Sequence, residues 1–416
     1  MSGNGTTGPA AELSNNALPG TQFYAPRARL LDAATGEPVT VNRRPVHADI
    51  KSVRLVQTHS GVSQATITLN NQRHHADSPY NPLVPTWLYN DFDEIKFGSE
   101  LKLQLGYAEQ WQDMIVIRVT DIAFKFPSQG GAQVVIQGED KLSLLKTNPD
   151  EDHRYRSPNA KELAMVRDVL QRAGGALTLA GSAAEPFSDS LNTITHQKGQ
   201  SYLQFIQSIA ERMDYEIYVD AENPSQVHFE ESRSMTLNGI VELTWNKDLI
   251  DFTPRFKVWE LKTEAKAEGR SRTARRRVAE VVAANEIDDD LHTAPGGDTP
   301  MHALEVRSQF FSAGSIPEKN VASISVSNLD ASRAQKKAVS ALRKSAREFL
   351  TADATTLGFT QLKPGIHINI KQMSAPFDGI YYVTKVVHTL DQTGYKSVCS
   401  LRRPGMLDPS DYPGSD

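Results

Sequence analysis

Leu362-Lys363-Pro364-Gly365 opens a run that decides the fold. It continues as Ile366-His367-Ile368-Asn369-Ile370, then as Phe377-Asp378-Gly379-Ile380-Tyr381-Tyr382-Val383-Thr384. Lys385 to Leu390 leads into Asp391-Gln392-Thr393-Gly394, and Tyr395 to Arg403 closes the run. Aromatic and β-branched residues set between Gly and Pro punctuation predict antiparallel strands joined by short turns. The pattern occurs twice. Phe97-Gly98 precedes Leu101-Lys102-Leu103-Gln104-Leu105 as Pro364-Gly365 precedes the Ile366 run. Val119-Thr120-Asp121-Ile122 matches Val383-Thr384-Lys385-Val386 without a gap, and the same register sets Phe126 against Leu390 and Gly130 against Gly394. A repeat of this period points to two copies of one β module in one chain.

Length and composition bound the rest. At 416 residues the chain should hold about two to four domains. Hydrophobic content is 39% and formal net charge is −5, a balance that argues against general nucleic-acid or membrane-surface binding. No apolar run approaches the roughly 20 residues needed to span a bilayer. Cys399 is the single cysteine, so no intrachain disulfide framework exists; its strand setting reads as a small buried hydrophobe. Met1 to Pro19 has neither a basic n-region nor an apolar h-region, which predicts synthesis in the cytoplasm with no secretory signal.

In chain order, residues 1–20 read as a flexible arm. Residues 21–149 read as the first β-barrel module, with strands over 27–31, 48–58, 64–70, 101–107, 114–126 and 132–138, a loop over 73–87, and a helical turn over 140–145. In Gln64 to Asn70, Ala65, Ile67 and Leu69 share one face. Thr147 to Arg156 reads as a polar linker, and residues 150–251 read as a small α+β middle domain. Ser157-Pro158 starts a helix with Leu163, Val166 and Leu170 on its stripe and Gly174-Gly175 at its end. Ser201 caps a second helix whose apolar face carries Leu203, Ile206, Ile209, Ala210 and Met213. Strands over 215–219 and 226–230 follow. Residues 252–405 read as the second β-barrel module, including a long helix over 331–350 with Val339, Leu342, Ala346 and Phe349 inward. Residues 406–416 read as a tail. Arg270 to Arg277 is rich in arginine and is followed by Asp288-Asp289-Asp290. It reads as a solvated, partly helical excursion of self-neutralising charge, with an anion patch as the other reading. The predicted class is mainly β (α+β): two similar antiparallel β-barrel modules with a small α+β domain between them.

No catalytic, cofactor or metal residue is predicted. His74-His75-Ala76-Asp77 has metal-ligand types, but no later His or Cys pair completes a tetrahedral set. The sequence has no Gly-x-Ser-x-Gly elbow, no Walker loop and no dinucleotide-binding fingerprint. Glu139-Asp140 and Glu230-Glu231 are adjacent acids with no sign of a flanked cleft. His388, beside strand aromatics, reads as a satisfied, half-buried histidine. Tyr381-Tyr382, Tyr215 and Tyr218 read as packing across a sheet.

Thr355-Thr356-Leu357-Gly358, Leu362-Lys363-Pro364-Gly365, Phe377 to Val383, His388 and Gly394-Tyr395 together resemble the C-terminal part of the phage late control protein D family. Gly199 to Ile206, Ala210-Glu211-Arg212 and Tyr215 to Asp220 resemble the same family, as do Gly106-Tyr107 and Gly138-Glu139-Asp140. The motifs are degenerate; their order along Phe23 to Arg403 carries the likeness. The resemblance implies a baseplate hub of contractile tails and related injection systems. Such a hub is a ring with tandem barrels, usually a homotrimer, docking a hexameric inner tube on one side and a trimeric spike on the other. The fused spike of the VgrG-type relatives has no counterpart here, so the expected spike is a separate subunit. The resemblance implies a structural, non-enzymatic component of a virion or injection particle, without cofactor, with other baseplate proteins as partners. Two other readings stay open: a cell-wall hydrolase of the same machine, and a monomeric β-rich binding module.

Overall fold

The computed structural model describes residues 25–41, 43–73, 86–91, 95–108, 110–156, 161–181, 194–213, 215–219, 221–231, 241–270, 276–284, 319–327, 331–374 and 377–403. His74, His75, Asp77, Ser157, Pro158 and the acidic run at 288–290 fall outside them.

Period-2 alternation builds the first module. Its strands are β1 (Pro26–Asp32), β2 (Ile50–Thr58), β3 (Gln64–Asn70), β4 (Glu100–Tyr107), β5 (Gln110–Lys125) and β6 (Gln133–Glu139). Ala65, Ile67 and Leu69 of β3 point inward with Leu101, Leu103 and Leu105 of β4, and these faces enclose one core. The second module takes β9 (Val241–Thr244), β10 (Leu249–Phe256), β14 (Leu350–Leu357), β15 (His367–Lys371), β16 (Gly379–Asp391) and β17 (Gly394–Arg403) around a core of its own. One twelve-stranded sheet runs through both modules in the order β1-β4-β5-β6-β3-β2-β16-β17-β14-β10, with β15 and β9 branching from β16. Within each half the order of counterparts is the same: β4-β5-β6-β3-β2 against β15-β16-β17-β14-β10.

Irregularities match as well as strands. Pairing slips past Thr120 between Val119 and Asp121 of β5, and past Thr384 between Val383 and Lys385 of β16. Each bulged threonine donates its hydroxyl to a carbonyl across the hairpin, Thr120 to Gln137 and Thr384 to Ser400. Gly98 and Gly365, both at positive φ, donate their N–H to Val119 O and Val383 O at 2.8 Å each. A second bulge recurs between Ile50 and Ser52 of β2 and between Leu249 and Asp251 of β10. β-Bulges bend a strand at one defined residue, so their recurrence ties the two modules together residue by residue.

The ungapped match needs one correction. It holds along β5 and β16, but the hairpins differ: Lys125 pairs Gln133 across residues 126–132, whereas Asp391 pairs Gly394 across a two-residue turn. The first hairpin is wider, so Gly130 stands outside the ladder and β6 is displaced by one residue relative to β17.

The middle unit packs α1 (Glu162–Arg172) and α2 (Tyr202–Met213) on a small sheet containing β7 (Tyr215–Tyr218) and β8 (Gln226–Glu231). Ser201 begins α2 with a reciprocal cap: its hydroxyl accepts Gln204 N–H at 3.2 Å, and its own N–H donates to Gln204 Oε1 at 3.0 Å. The predicted polar linker over 147–156 contains a strand, His153–Tyr155, paired with Ile194–His196; Tyr155 is buried and anchors it. The predicted loop over 73–87 has paired ends, Gln72–Arg73 with Thr86–Trp87.

The long helix, α3 (Ala331–Arg347), belongs to a fourth core. It lies on a sheet of β11 (Glu264–Arg270), β12 (Arg277–Ala283) and β13 (Val321–Ser327). Ala334, Ala338 and Leu342 meet Ala265 and Ala267, small residues that let helix and sheet approach closely. The arginine run, expected to be partly helical, instead brackets an antiparallel hairpin in its described part: Arg270 pairs Arg277, and Arg277 is salt-bridged to Glu268. Strand geometry wins there because Val278 and Val282 supply an alternating inner face.

Gly394 has φ +125°, in the region that L side chains resist. Gly394→Val is expected to destabilise the second module by about 1 kcal/mol or more, read as a lower urea midpoint. An unchanged midpoint would show that the turn relaxes freely.

Candidate functional site

The described residues bring the three larger cores together at one place, where β2 meets β16. Six residues of each strand pair antiparallel, from Lys385↔Thr58 to Leu390↔Val53. His388, opposite Leu55, is fully buried rather than half-buried. Its Nε2 lies 3.0 Å from Leu362 O and therefore donates to that carbonyl. Its Nδ1 is 2.9 Å from both Ser397 Oγ and Tyr395 Oη and offers its single lone pair to these hydroxyls. Burial pushes the imidazole pKa down to about 4, partly offset by the bond to Leu362. Tyr107 of the first module closes over the same spot: its ring is 5.8 Å from Tyr395, and its hydroxyl donates to Gly358 O at 2.7 Å. Gly358 sits directly against Tyr395, where a Cβ would stand 2.0 Å from the ring.

A second cluster fastens the middle unit to this junction. Alternation along β7 buries Ile217 in the helical core and turns Glu216 and Tyr218 toward the large sheet. Glu216 accepts the Tyr382 hydroxyl at 2.6 Å and Arg402 Nη2 at 3.3 Å, and it stands 3.3 Å from His59 Nδ1. His59 stacks on Tyr218 at 3.6 Å, and Arg402 lies over the Tyr382 ring at 4.6 Å. The Tyr218 hydroxyl donates to Glu230. Burial first, and the Glu216 charge second, raise the Tyr382 hydroxyl far above its ordinary range. One carboxylate thus bonds or faces side chains from β16, from β17 and from the end of β2.

The sequence identified some of these residues without their roles. Tyr218 and Tyr382 read as sheet aromatics; both are also hydrogen-bond donors to carboxylates. Glu216 and His59 are not legible in the sequence, since one acid in an alternating strand carries no signal until its partners 157 and 166 positions away are known. The adjacent acids do not converge. Asp140 is buried and caps the helical turn after β6, accepting Ser63 N–H at 2.7 Å and Leu142 N–H at 3.0 Å; burial raises its pKa to about 7. Glu139 pairs with Lys146 at the surface. Cys399 is buried, and its thiol is pushed up to about 12. Among the described residues no group of three or more His, Cys, Asp or Glu is placed to hold a metal ion, and no helix is long and apolar enough to cross a membrane.

Compared by sequence, the chain matches no family model. No curated relative matches it either. Compared by structure, it is similar to two tail proteins over nearly its whole length. The 43 kDa tail protein of prophage MuSo2 from Shewanella oneidensis superposes with a TM-score of 0.58 at 12% identity, over 91% of this chain and 99% of that one. A tail protein from Neisseria meningitidis MC58 gives 0.59 at 11% identity, over 94% and 100%. The chain therefore has the mainly β fold of these tail proteins, shared without appreciable sequence likeness.

Two measurements test the junction. Unfolded histidine titrates near 6.5 and folded His388 near 4, so the unfolded state takes up the proton first as pH falls. The stabilisation is present above about pH 6.5 and is lost as pH drops toward 4, by about 3 kcal/mol in all. Urea titrations at pH 7 and pH 4 should show this loss relative to His388→Gln, a comparison in which the opposite contribution of Asp140 cancels. Equal pH slopes in the two proteins would refute the assignment. Glu216→Ala strips the acceptor from Tyr382 and Arg402 and should cost about 1–3 kcal/mol. Hydrogen exchange should rise first in β7 and α2; unchanged protection there would dismiss Glu216 as the fastener.

Proposed function

We propose that this chain is a structural hub of a contractile tail or contractile injection particle, assembling as a homotrimeric ring that joins the inner tube to a separate spike. The carrying observation is the duplicated module: one chain already joins two like units edge to edge in one sheet. Repeating that step from chain to chain gives a head-to-tail arrangement, and head-to-tail contacts close into rings when the rotation permits. Three copies would present six similar units, a match for a sixfold tube on one face and a threefold spike on the other. The shared fold of the two tail proteins supports the reading.

The role is non-enzymatic. His388 and Ser397 have nucleophile-and-base types in contact, but both are fully buried under Tyr395 and Tyr107, where no polymer substrate reaches them. Other baseplate proteins are the remaining partners, and the assembled particle, a virion or an injection device, is where the protein acts.

Light scattering of the full chain, alone and with tube and spike subunits, decides the matter. A trimer that adds both subunits is expected. A monomer at all concentrations, unaltered by either subunit, would favour a β-rich binding module. Release of soluble fragments from peptidoglycan by the pure protein would favour a hydrolase.

A further inference from the structure

The join between the two modules inside the chain specifies the join between two chains. By strand order and shared bulges, β5 is the counterpart of β16 and β10 the counterpart of β2. Inside the chain β2 pairs with the distal half of β16, beyond the residues that β15 occupies. The equivalent half of β5, residues 119–125, lies beyond the pairing of β4, and among the described residues no strand pairs it on that side. β10 likewise pairs with β14 on one side and ends the sheet path on the other. One chain thus carries both halves of a seam at its two ends.

We propose that a second copy of this chain adds its β10 to the open edge of β5, antiparallel and in the register of the internal seam. Transferring that register residue by residue sets Asp121 opposite Lys257, Ile122 opposite Phe256, Ala123 opposite Arg255, Phe124 opposite Pro254, Lys125 opposite Thr253 and Phe126 opposite Phe252. This identification of the interface rests on the ring reading above.

The transferred register sorts the opposed side chains by face. Opposed residues of a sheet share a face, and faces alternate. Ile122/Phe256, Phe124/Pro254 and Phe126/Phe252 make one wholly apolar face. Asp121/Lys257, Ala123/Arg255 and Lys125/Thr253 make the other, with the acid opposite a lysine. A slip of one residue would set Ile122 and Phe124 against Arg255 and Thr253 in one direction, or against Lys257 and Arg255 in the other. Exposure points the same way: Leu390, covered by β2, is 8% exposed, whereas its counterpart Phe126 is 55% exposed and Phe256 39%. Pro254 offers no N–H, so the seam forms with no donor at that position.

Cysteine cross-linking tests the register. Directly opposed cross-strand residues stand within disulfide reach. Ala123→Cys and Arg255→Cys chains, mixed and oxidised, should give a covalent dimer on a non-reducing gel, and the double variant a ladder ending at the closed ring. Val56→Cys with Val387→Cys, the same position of the internal seam, should give an intrachain bond, and Ala123→Cys with Ile250→Cys none between chains. Native Cys399 is buried and gives no background. A trimer by light scattering in which the Ala123–Arg255 pair fails to cross-link overturns the seam and leaves the ring standing. No oligomer under any condition, tube and spike subunits included, overturns the ring and the seam with it.

Discussion

The pairing of β2 with β16 is the contact on which the rest of the structure depends. A strand at the edge of a sheet exposes a row of unpaired N–H and C=O groups. Each module ends in such an edge, and the chain uses one edge to satisfy the other. Side chains then seal the join. His388 uses both ring nitrogens within a few ångströms of it, and Tyr107 reaches across to Gly358. A neutral imidazole suits this setting because it offers one donor and one acceptor with no charge to bury.

Duplication explains where the additional units are placed. β2 and β3 are joined by residues 59–63, whereas their counterparts β10 and β14 are joined through residues 257–349. The α3 unit occupies that second connection, as the α1–α2 unit occupies the stretch between the modules. Insertions settle in connections because the ladders tolerate none. The bulges survive in both copies for a related reason. A bulge at Thr120 or Thr384 re-aims the strand so that Val119 or Val383 can accept from the glycine that begins the neighbouring strand. Its loss would shift every side chain beyond it to the wrong face.

Much of this was legible in the residues. Alternation located most strands of the large sheet, and the Val-Thr match picked out the counterpart strands β5 and β16. The equivalence of β2 and β10 was not legible. Ile50-Lys51-Ser52-Val53 and Leu249-Ile250-Asp251-Phe252 share a bulge and a pairing pattern but almost no residue types. Backbone geometry is retained there while side chains change with the neighbours they meet. The sequence shows α3 as a helix but not the unit it belongs to, since an apolar stripe reveals that a helix packs and not what it packs against. Glu216 carries no sequence signal because its partners lie on strands far away in sequence. The Thr147–Arg156 stretch read as linker because three residues of strand are too few to show a period.

The charges along the two open edges bear on direction as well as register. An edge can in principle pair with any other edge, including its own copy. Two β10 strands meeting about a twofold axis would bring Arg255 and Lys257 of one copy near the same cations of the other. They would also place two prolines in one ladder, costing donors on both sides. Two β5 edges would oppose large apolar side chains at Ile122, Phe124 and Phe126 with no smaller partner between them. The proposed pairing of β5 with β10 keeps the cations apart and leaves one proline in the ladder instead of two, setting Asp121 against Lys257 and Phe124 against Pro254. A contact that is poor with itself and good with a different strand is heterologous, and only heterologous contacts propagate around a ring. In the proposed ring, the same features that leave each edge exposed in one chain would select its complement on the next.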